Sequence, residues 1–253
     1  MTKVGVLPVP VIFVLLPLLL LAAADSVMAA ASEQQQSRCL SWRVAVEANN
    51  ARAWSSVPPT CIKYVEDYML RGQYQRDLDA VTYQIFAYLN NTINVTADGM
   101  DAWVFDVDDT ILSNLIYYKG KHYGGDPYDP LGFRSWAQRG ICAAIPKMLR
   151  VYKRLIEKGF KVFLVTGRDA EMFNLSTSQN LDAQGFKGHE RLIMRGADYR
   201  GVGASVFKST MRKQLVDEGY RIRGNVGDQW SDLLGDCNGD RIFKVPNPMY
   251  FVP

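Results

Sequence analysis

Histidine is scarce in this sequence, which contains only His122 and His189 among its 253 residues. This scarcity argues against chemistry that needs a histidine cluster, as in most zinc hydrolases and di-metal phosphatases. Concentrated charge is lacking too, because 29 basic residues are set against 26 acidic ones and no run of five like charges occurs. Nucleic-acid binding needs a clustered basic face, so no nucleic-acid partner is expected. Any catalysis must therefore depend mainly on carboxylates.

An uninterrupted membrane-spanning run is also missing. Lys3 precedes an apolar block that is densest over residues 11–24, and small residues follow at positions 29–31. A basic start, an apolar stretch of ~7–15 residues and a small-residue site are typical of a cleaved secretory signal peptide. The alternative is an uncleaved anchor over residues 4–24, but three prolines interrupt that stretch, and a spanning helix needs about 20 apolar residues. We predict a signal peptide over residues 1–31, no stable membrane anchor, and a secreted (extracellular or apoplastic) or vacuolar protein.

Cysteine is infrequent, with four residues that all follow the predicted cleavage site. An even number in an oxidising route permits disulfides, and four cysteines allow three pairings that the sequence does not distinguish. Buried free thiols are an equal alternative, because a mature chain of this length can form its core without crosslinks. The four are Cys39, Cys61, Cys142 and Cys237.

Three N-x-[ST] motifs occur, at Asn90, Asn94 and Asn174. This pattern is the acceptor for N-glycosylation in secreted proteins. Together with the signal peptide, it predicts a glycoprotein.

The hydrophobic pattern of the mature chain changes at about residue 98. Residues 32–98 carry apolar residues at helical spacing with a break at Pro58-Pro59, which predicts two to four helices packed on the core. From residue 99, short β-branched or aromatic runs alternate with helix-length segments. This alternation predicts an α/β domain over residues 99–253, with an open, mainly parallel, Rossmann-like sheet flanked by helices. The predicted strands cover residues 102–107, 161–166, 192–195, 221–226 and 241–245, and the helices after residue 99 cover 145–158, 170–184 and 206–218.

Three of the predicted strands end in polar clusters. Ligands of open α/β sheets bind beyond the carboxyl ends of the strands, so these clusters are the candidate functional residues. The clusters are Asp106-Val107-Asp108-Asp109-Thr110, Thr166-Gly167-Arg168 and Gly227-Asp228-Gln229-Trp230-Ser231-Asp232.

Carboxylates dominate two of these clusters. Asp106 and Asp108 are two residues apart in extended chain and share a face, and Asp228 and Asp232 would join them from a neighbouring strand. Unpaired carboxylates within ~4–6 Å raise one another's pKa, and a hard cation removes the conflict. Mg²⁺ takes oxygen ligands, so the sequence predicts a magnesium site.

The same residue types suit phosphoryl transfer. An aspartate can accept the phosphoryl group, and a second carboxylate can protonate the leaving oxygen and later activate water. Thr166 and the backbone around Gly167 could hold the phosphoryl oxygens, while Arg168 could bind either phosphate or a carboxylate. Lys208 is favoured over Lys213 as the cation, because it is predicted to lie at the start of its helix, where the helix dipole also attracts anions.

In this order, the clusters and Lys208 resemble the four motifs of the haloacid dehalogenase superfamily. The sequence is similar, more narrowly, to the secreted plant acid phosphatase and vegetative storage protein group, over roughly residues 39–253. The narrower resemblance rests on Leu112-Ser113-Asn114, Gly219-Tyr220-Arg221-Ile222 and Pro246-Asn247-Pro248-Met249-Tyr250.

The resemblance implies a magnesium-dependent acid phosphatase that hydrolyses small phosphate monoesters. It assigns Asp106 as the nucleophile that becomes an aspartyl-phosphate and Asp108 as the acid–base catalyst. Thr166 and Lys208 match its phosphate-holding positions. The implied magnesium ligands are Asp106, the main-chain carbonyl of Asp108, Asp228 and, directly or through water, Asp232.

The alternative is a vegetative storage glycoprotein with little or no catalytic activity. Some storage members of the group lack the nucleophile, and this chain keeps Asp106, which favours the enzyme. Where the group usually has glutamate this chain has Asp109, a difference expected to have little effect. A homodimer is left open.

Residues 113–143 form an aromatic-rich insert after the first motif. It could be a loop that packs its own rings, or a small cap whose rings contact the leaving group of the substrate. Tyr118 and Trp136 are the residues that would test the cap.

Overall fold

The computed structural model describes residues 10–253, with side chains described from Val27 onward. The predicted signal peptide over residues 1–31 therefore lies largely outside the described side chains. Within the described part, no helix combines the length and the apolar character needed to cross a bilayer.

The chain begins with three helices and then alternates strands with helices. The helices are α1 (Pro10–Glu47), α2 (Ile62–Leu70), α3 (Gln73–Asn91), α4 (Leu115–Lys119), α5 (Pro130–Gln138), α6 (Pro146–Glu157), α7 (Ala170–Ala183), α8 (Ala204–Asp217) and α9 (Trp230–Leu233). The strands are β1 (Asp101–Phe105), β2 (Leu112–Ser113), β3 (Ala143–Ala144), β4 (Lys161–Asp169), β5 (Arg191–Arg195), β6 (Arg221–Gly227) and β7 (Ile242–Lys244).

Five of the strands form one sheet in the order β5-β4-β1-β6-β7, and every neighbouring pair is parallel. Parallel neighbours need crossover connections, and α6 to α8 lie in those crossovers. The prediction of an open, parallel, helix-flanked α/β sheet is confirmed. Because β1 is central, its carboxyl end lies between those of β4 and β6, where the polar clusters follow.

The core has two layers, one on each face of the sheet. Trp103 and Phe105 of β1 belong to a large cluster that includes residues of α2, α3 and α6. Ala102 and Val104 belong to a second cluster with residues of α8. Successive side chains of a strand point to opposite faces, so β1 is apolar throughout because both of its faces are covered.

A disulfide crosslinks the N-terminal segment, and polar contacts connect it to the sheet domain. Cys39 and Cys61 form a disulfide, whereas Cys142 and Cys237 are free thiols. Glu47, at the end of α1, accepts hydrogen bonds from Lys244 Nζ at 2.7 Å and from the backbone N–H of Asn247 at 2.9 Å. The end of α1 thus contacts the sheet domain near the carboxyl edge of the sheet.

The insert over residues 113–143 is closed at its base by a short antiparallel pair. Leu112 and Ser113 of β2 pair with Ala144 and Ala143 of β3. The insert therefore leaves and rejoins the sheet domain at one place, and α4 and α5 lie between.

Candidate active site

Three carboxylates meet at the carboxyl edge of the sheet. Asp106 follows β1, Asp228 follows β6, and Asp232 lies in α9. All three are buried, and one oxygen of each lies within 4.8 Å of the others. Because β1 and β6 are hydrogen-bonded neighbours, aspartates far apart in sequence converge at this edge.

Gly227 allows Asp232 to approach β6. A Cβ atom at position 227 would lie 2.4 Å from the Cβ of Asp232, so any side chain there would displace the carboxylate. Asp232 also accepts the backbone N–H of Gln229 at 2.9 Å, which caps the short helix α9. These two constraints fix Asp232 beside Asp228.

Lys208 of α8 is buried and forms salt bridges with both Asp106 and Asp232. Burial alone would lower the pKa of its ammonium group, but the two carboxylates outweigh burial and raise that pKa. Lys208 is in the second turn of α8, which begins at Ala204, so the prediction that it opens the helix was wrong by about one turn. Lys213 is exposed and pairs with Asp217 at 2.8 Å, which leaves Lys208 as the cation of the cluster.

The cluster has an excess of negative charge, because three carboxylates face one ammonium group. Burial raises the pKa of Asp106 well above its usual range, and the neighbouring charge of Asp232 adds to this shift. Burial and Asp232 also raise the pKa of Asp228 to about 7. A hard divalent cation would relieve these repulsions, and carboxylate oxygens are the ligands that such a cation takes. The donor set therefore fits a divalent metal.

Asp228 is oriented by neutral donors. Its Oδ2 accepts hydrogen bonds from Asn247 Nδ2 at 2.7 Å and from Gln229 Nε2 at 2.9 Å. Thr110 connects it to the nucleophile candidate: the Thr110 hydroxyl accepts the backbone N–H of Asp228 at 2.9 Å and donates to Asp106 Oδ2 at 3.0 Å. The two carboxylates are thus fixed relative to each other.

Arg168 binds a carboxylate, which is one of the two partners that the sequence left open. Its Nη2 lies 2.7 Å from Asp108 Oδ1, and its Nε lies 3.0 Å from Asp108 Oδ2. The Arg168 side chain is 1% exposed and that of Asp108 is 19% exposed. Burial would raise the pKa of Asp108, but the charge and hydrogen bonds of Arg168 outweigh it and lower that pKa.

Thr166 and Gly167 have different positions. Gly167 is exposed and lines the cavity next to the carboxylates. Thr166 is fully buried, does not line that cavity, and its hydroxyl accepts the backbone N–H of Arg168 at 3.2 Å. Of these two residues, Gly167 is therefore the one that faces the cavity.

A cavity of about 620 Å³ opens over the carboxylates. Its floor holds Asp106, Asp108, Lys208, Asp228 and Asp232. Aromatic side chains from four separate segments form part of its wall. The aromatic lining residues are Trp54 of the N-terminal segment, Tyr118, Tyr128 and Phe133 of the insert, Phe173 of α7, and Tyr250 and Phe251 near the C-terminus.

The two aromatic residues singled out in the insert have different environments. Tyr118 lines the cavity and stacks on Tyr250, with ring centroids 4.8 Å apart. Trp136 is buried behind the wall and donates its indole N–H to Asn114 Oδ1 at 2.8 Å. Only Tyr118 of this pair has access to a bound molecule.

A family model described as HAD superfamily, subfamily IIIB (Acid phosphatase), matches residues 23–253. The chain belongs to this subfamily. The resemblance to haloacid dehalogenase phosphatases inferred from the motifs is thereby confirmed, and members of this family act on phosphate substrates and generally use a divalent metal.

Curated plant relatives cover most of the chain. It is 42% identical to Acid phosphatase 1 of Solanum lycopersicum, over 85% of this chain and 84% of that protein. It is 38% identical to the Stem 31 kDa glycoprotein of Glycine max, over 85% and 84%. It is also 38% identical to Vegetative storage protein 2 of Arabidopsis thaliana, over 86% and 81%. This member of the subfamily thus has relatives named both as phosphatases and as storage proteins.

The solved structure of the class C acid phosphatase from Bacillus anthracis superposes with a TM-score of 0.57. It is 21% identical in sequence and covers 74% of this chain and 83% of that chain. At this identity the likeness concerns the fold.

Asp109 has a larger structural role than the sequence indicated. Its backbone is in the left-handed region, with φ of 53°. Its carboxylate accepts the backbone N–H of Asn114 at 2.8 Å and the hydroxyl of Tyr250 at 2.9 Å. Burial raises the pKa of Asp109 to about 7. The chain has aspartate at position 109 where the group usually has glutamate. The expectation that this difference has little effect stays a prediction.

Asn114, Asn247 and Tyr250 are site residues that chemical reasoning from the sequence missed. They are neutral, and nothing in their spacing indicates metal or phosphate chemistry. The only signal was their place in the Leu112-Ser113-Asn114 and Pro246–Tyr250 segments that carry the resemblance to plant acid phosphatases.

Proposed function

We propose that this protein hydrolyses phosphate monoesters by transferring the phosphoryl group to Asp106 and then to water. The observation that carries this proposal is the position of Asp106. It lies at the floor of the cavity, fixed by Lys208 and Thr110, with the carboxylate of Asp108 lining the same cavity.

Mg²⁺ is the metal we propose for the site. Asp106, Asp228, Asp232 and the main-chain carbonyl of Asp108 would hold it. When bound, the ion would supply positive charge that offsets the carboxylates and the phosphoryl oxygens. The excess of buried negative charge supports this assignment.

The first step forms a bond between an Asp106 oxygen and phosphorus, while the bond from phosphorus to the ester oxygen breaks. Asp108 gives a proton to that leaving oxygen, which departs as an alcohol. In the second step Asp108 takes a proton from water as the water oxygen attacks phosphorus. The bond to Asp106 then breaks and phosphate leaves, with Asp108 protonated for the next cycle.

Charge on the transferred group is balanced by the protein. Lys208 and the backbone of Gly167 would hold its oxygens, and Thr166 would do so only after its hydroxyl turns towards the cavity. Lower pH favours the protonated form of Asp108 that the first step needs. Arg168 opposes this effect, because it lowers the pKa of Asp108.

We further propose that the protein is a secreted or vacuolar glycoprotein without a stable membrane anchor. The signal-peptide pattern of residues 1–31 supports export. Asn90, Asn94 and Asn174 are all exposed, which supports their use as glycosylation sites. A relative carries the name stem glycoprotein.

The second candidate is a vegetative storage glycoprotein, which the 38% identity to Vegetative storage protein 2 favours. Hydrolysis of p-nitrophenyl phosphate by the purified protein between pH 4 and 8, with Mg²⁺ and with EDTA, separates the two. Metal-dependent turnover that Asp106→Asn removes would support the phosphatase. Folded, metal-bound protein without turnover would favour storage.

A further inference from the structure

Asn114 is a fully buried side chain to which the proposed chemistry gives no task. Its Nδ2 donates to Asp108 Oδ1 at 2.9 Å and to Asp109 Oδ2 at 3.2 Å. Its Oδ1 accepts the indole N–H of Trp136 at 2.8 Å and the thiol of Cys142 at 3.4 Å. All four polar contacts are to side chains of the first motif or the insert.

These partners allow the amide one orientation only. The carboxylates of Asp108 and Asp109 accept hydrogen bonds, and the indole of Trp136 can only donate. A flipped amide would place its oxygen against two carboxylates and its N–H group against an N–H group. The donor of Trp136 therefore determines which end of Asn114 faces Asp108.

The contacts on the two oxygens of Asp108 are unequal. Oδ1 receives Asn114 Nδ2 and Arg168 Nη2, at 2.9 and 2.7 Å, with Arg168 Nε at 3.2 Å. Among the described residues, Oδ2 receives one donor, Arg168 Nε at 3.0 Å. Oδ2 is thus the oxygen with room to exchange a proton with a substrate.

The two donors to Asp108 come from different parts of the fold. Arg168 belongs to β4 and is braced by a hydrogen bond from its Nη1 to the Thr177 hydroxyl at 3.2 Å. Asn114 is braced by Trp136, which stacks on Tyr117, and Tyr117 packs edge-on against Phe133 of the cavity wall. A chain of direct contacts thus connects the wall of the cavity to the carboxylate of Asp108.

We propose that Asn114, oriented by Trp136, is a positioning residue that holds Oδ1 of Asp108 and directs Oδ2 to the leaving oxygen of the substrate. This proposal rests on the proposed function, because it takes Asp108 as the acid–base catalyst. In the first step the insert then serves esters whose leaving oxygen needs a proton. It matters little in that step for esters that leave as stable anions.

The test compares two substrates that differ in their need for an acid. p-Nitrophenolate leaves as a stabilised anion, whereas glycerol 2-phosphate releases an alkoxide that must be protonated. The quantity to compare is kcat/KM, which covers the steps up to release of the alcohol and leaves out the second step, in which Asp108 acts alike for both substrates. For Asn114→Ala we expect kcat/KM on glycerol 2-phosphate to fall about 10²-fold, the lower end of general acid catalysis. On p-nitrophenyl phosphate kcat/KM should change little.

Trp136→Phe is the milder variant, since it removes the indole N–H and keeps an aromatic ring. It should shift the ratio of the two kcat/KM values in the same direction by a smaller factor. This variant decides the matter if Asn114→Ala fails to fold. Equal losses on both substrates would overturn the proposal, because a merely structural role affects the two alike.

Asn180→Ala is the matched control. Asn180 is also a buried asparagine and contacts the insert, through the backbone N–H and C=O of Cys142 at 2.8 Å each, but it does not contact Asp108. Its loss should lower stability without changing the ratio of the two kcat/KM values. A shifted ratio in this control would overturn the assignment to Asn114.

Asp108→Asn separates failure of this proposal from failure of the proposed function. If that variant loses kcat/KM on glycerol 2-phosphate selectively and the Asn114 and Trp136 variants do not, the positioning role is wrong. If its kcat/KM falls alike on both substrates, or the wild type turns over neither, the proposed function is wrong and the positioning role goes with it.

Discussion

β1 carries a buried aspartate at each end, and their surroundings differ. At its amino end Asp101 is fully buried and forms salt bridges with Arg223 at 2.7 Å and Arg221 at 3.0 Å. Thr96 donates two more hydrogen bonds to it, from its backbone N–H and its hydroxyl, both at 2.6 Å. At the carboxyl end, Asp106 shares one lysine with a second carboxylate.

Burial raises the pKa of both carboxyl groups, and the neighbours decide the outcome. Around Asp101 the hydrogen bonds of Thr96 and the two arginines outweigh burial, so its pKa is lowered. Around Asp106 the neighbouring Asp232 adds to burial, and Lys208 offsets only part, so its pKa is raised.

The difference shows that a functional carboxylate stabilises the fold less than a structural one does. Asp101 has enough positive partners to be stable as an anion without any ligand. Asp106 is left with unbalanced neighbours, which is the condition in which a carboxylate gains from a metal or a substrate. Asp101 begins β1 and Asp106 directly follows it, so one strand connects a structural end with a reactive end.

Substitution of Asp106 should have the largest effect on activity. Asp106→Asn keeps the shape but removes the nucleophile, so kcat on p-nitrophenyl phosphate should fall about 10⁴-fold or more. Because the change removes one of three clustered negative charges, the melting temperature should not fall. Steady-state kinetics and thermal melts of one preparation test both statements. A variant that keeps a tenth of the activity would refute the nucleophile assignment.

The stability that the protein gains from metal binding should depend on the carboxylates at the carboxyl end of β1 and not on Asp101. In excess over EDTA, Mg²⁺ at 100 times its dissociation constant should add about 2.7 kcal/mol to the free energy of unfolding. The Asp101→Asn variant should keep this increment, and Asp228→Asn should lose most of it. Thermal melts with and without Mg²⁺ measure the increments. An equal increment in Asp228→Asn would show that the ion binds elsewhere.

Substitution of Asp101 should lower stability and leave activity nearly unchanged, which is the opposite of the result expected for Asp106. Asp101→Asn weakens charged hydrogen bonds in a buried site, so the free energy of unfolding should fall by about 2 kcal/mol. The kcat of the folded variant should stay within about twofold of the wild type. A loss of stability at the amino end of β1 should not change the geometry of the active site at its carboxyl end. Urea unfolding and kinetics are the measurements. A tenfold loss of kcat would mean that the two ends are coupled.

The sequence was sufficient to predict the sheet, because each strand is a short apolar run between turns and helices. Boundaries moved by one or two residues at most of these elements, and β4 extends to Asp169 because Asp169 still pairs with Arg195 of β5. The predicted segment of two to four helices before residue 98 contains α1 to α3.

The site was less predictable, for a physical reason. Sequence position assigns Asp106, Asp108, Asp228 and Asp232 to one edge of the sheet, because strand ends converge. It does not give the partner of a buried charge, which depends on contacts between distant elements. The pairing of Arg168 with Asp108 and the role of Asn114 therefore emerged only from the structure.

The pH dependence of stability should differ in sign between the two ends of β1, and its effect should be the smallest. The pKa of Asp101 is lowered on folding, so its contribution is fully present above its unfolded value of about 3.9 and is lost as pH falls through the folded value. The difference in unfolding free energy between wild type and Asp101→Asn should be constant from about pH 5 to 7 and should shrink below about pH 4. The Asp106 cluster is common to both proteins and cancels.

For Asp106 the pKa is raised on folding, so in EDTA its carboxyl group favours the folded state at low pH and loses that advantage as pH rises from about 3.9 towards the folded value. Over that pH range Asp106→Asn should therefore become more stable relative to wild type. The difference in unfolding free energy between wild type and Asp101→Asn should not decrease over the same range. Mg²⁺ should abolish the gain, because a bound cation favours the charged form. Urea unfolding at half-unit pH steps, with EDTA and with Mg²⁺, measures both differences. Parallel pH profiles for the two variants would contradict the opposite electrostatics of the two ends.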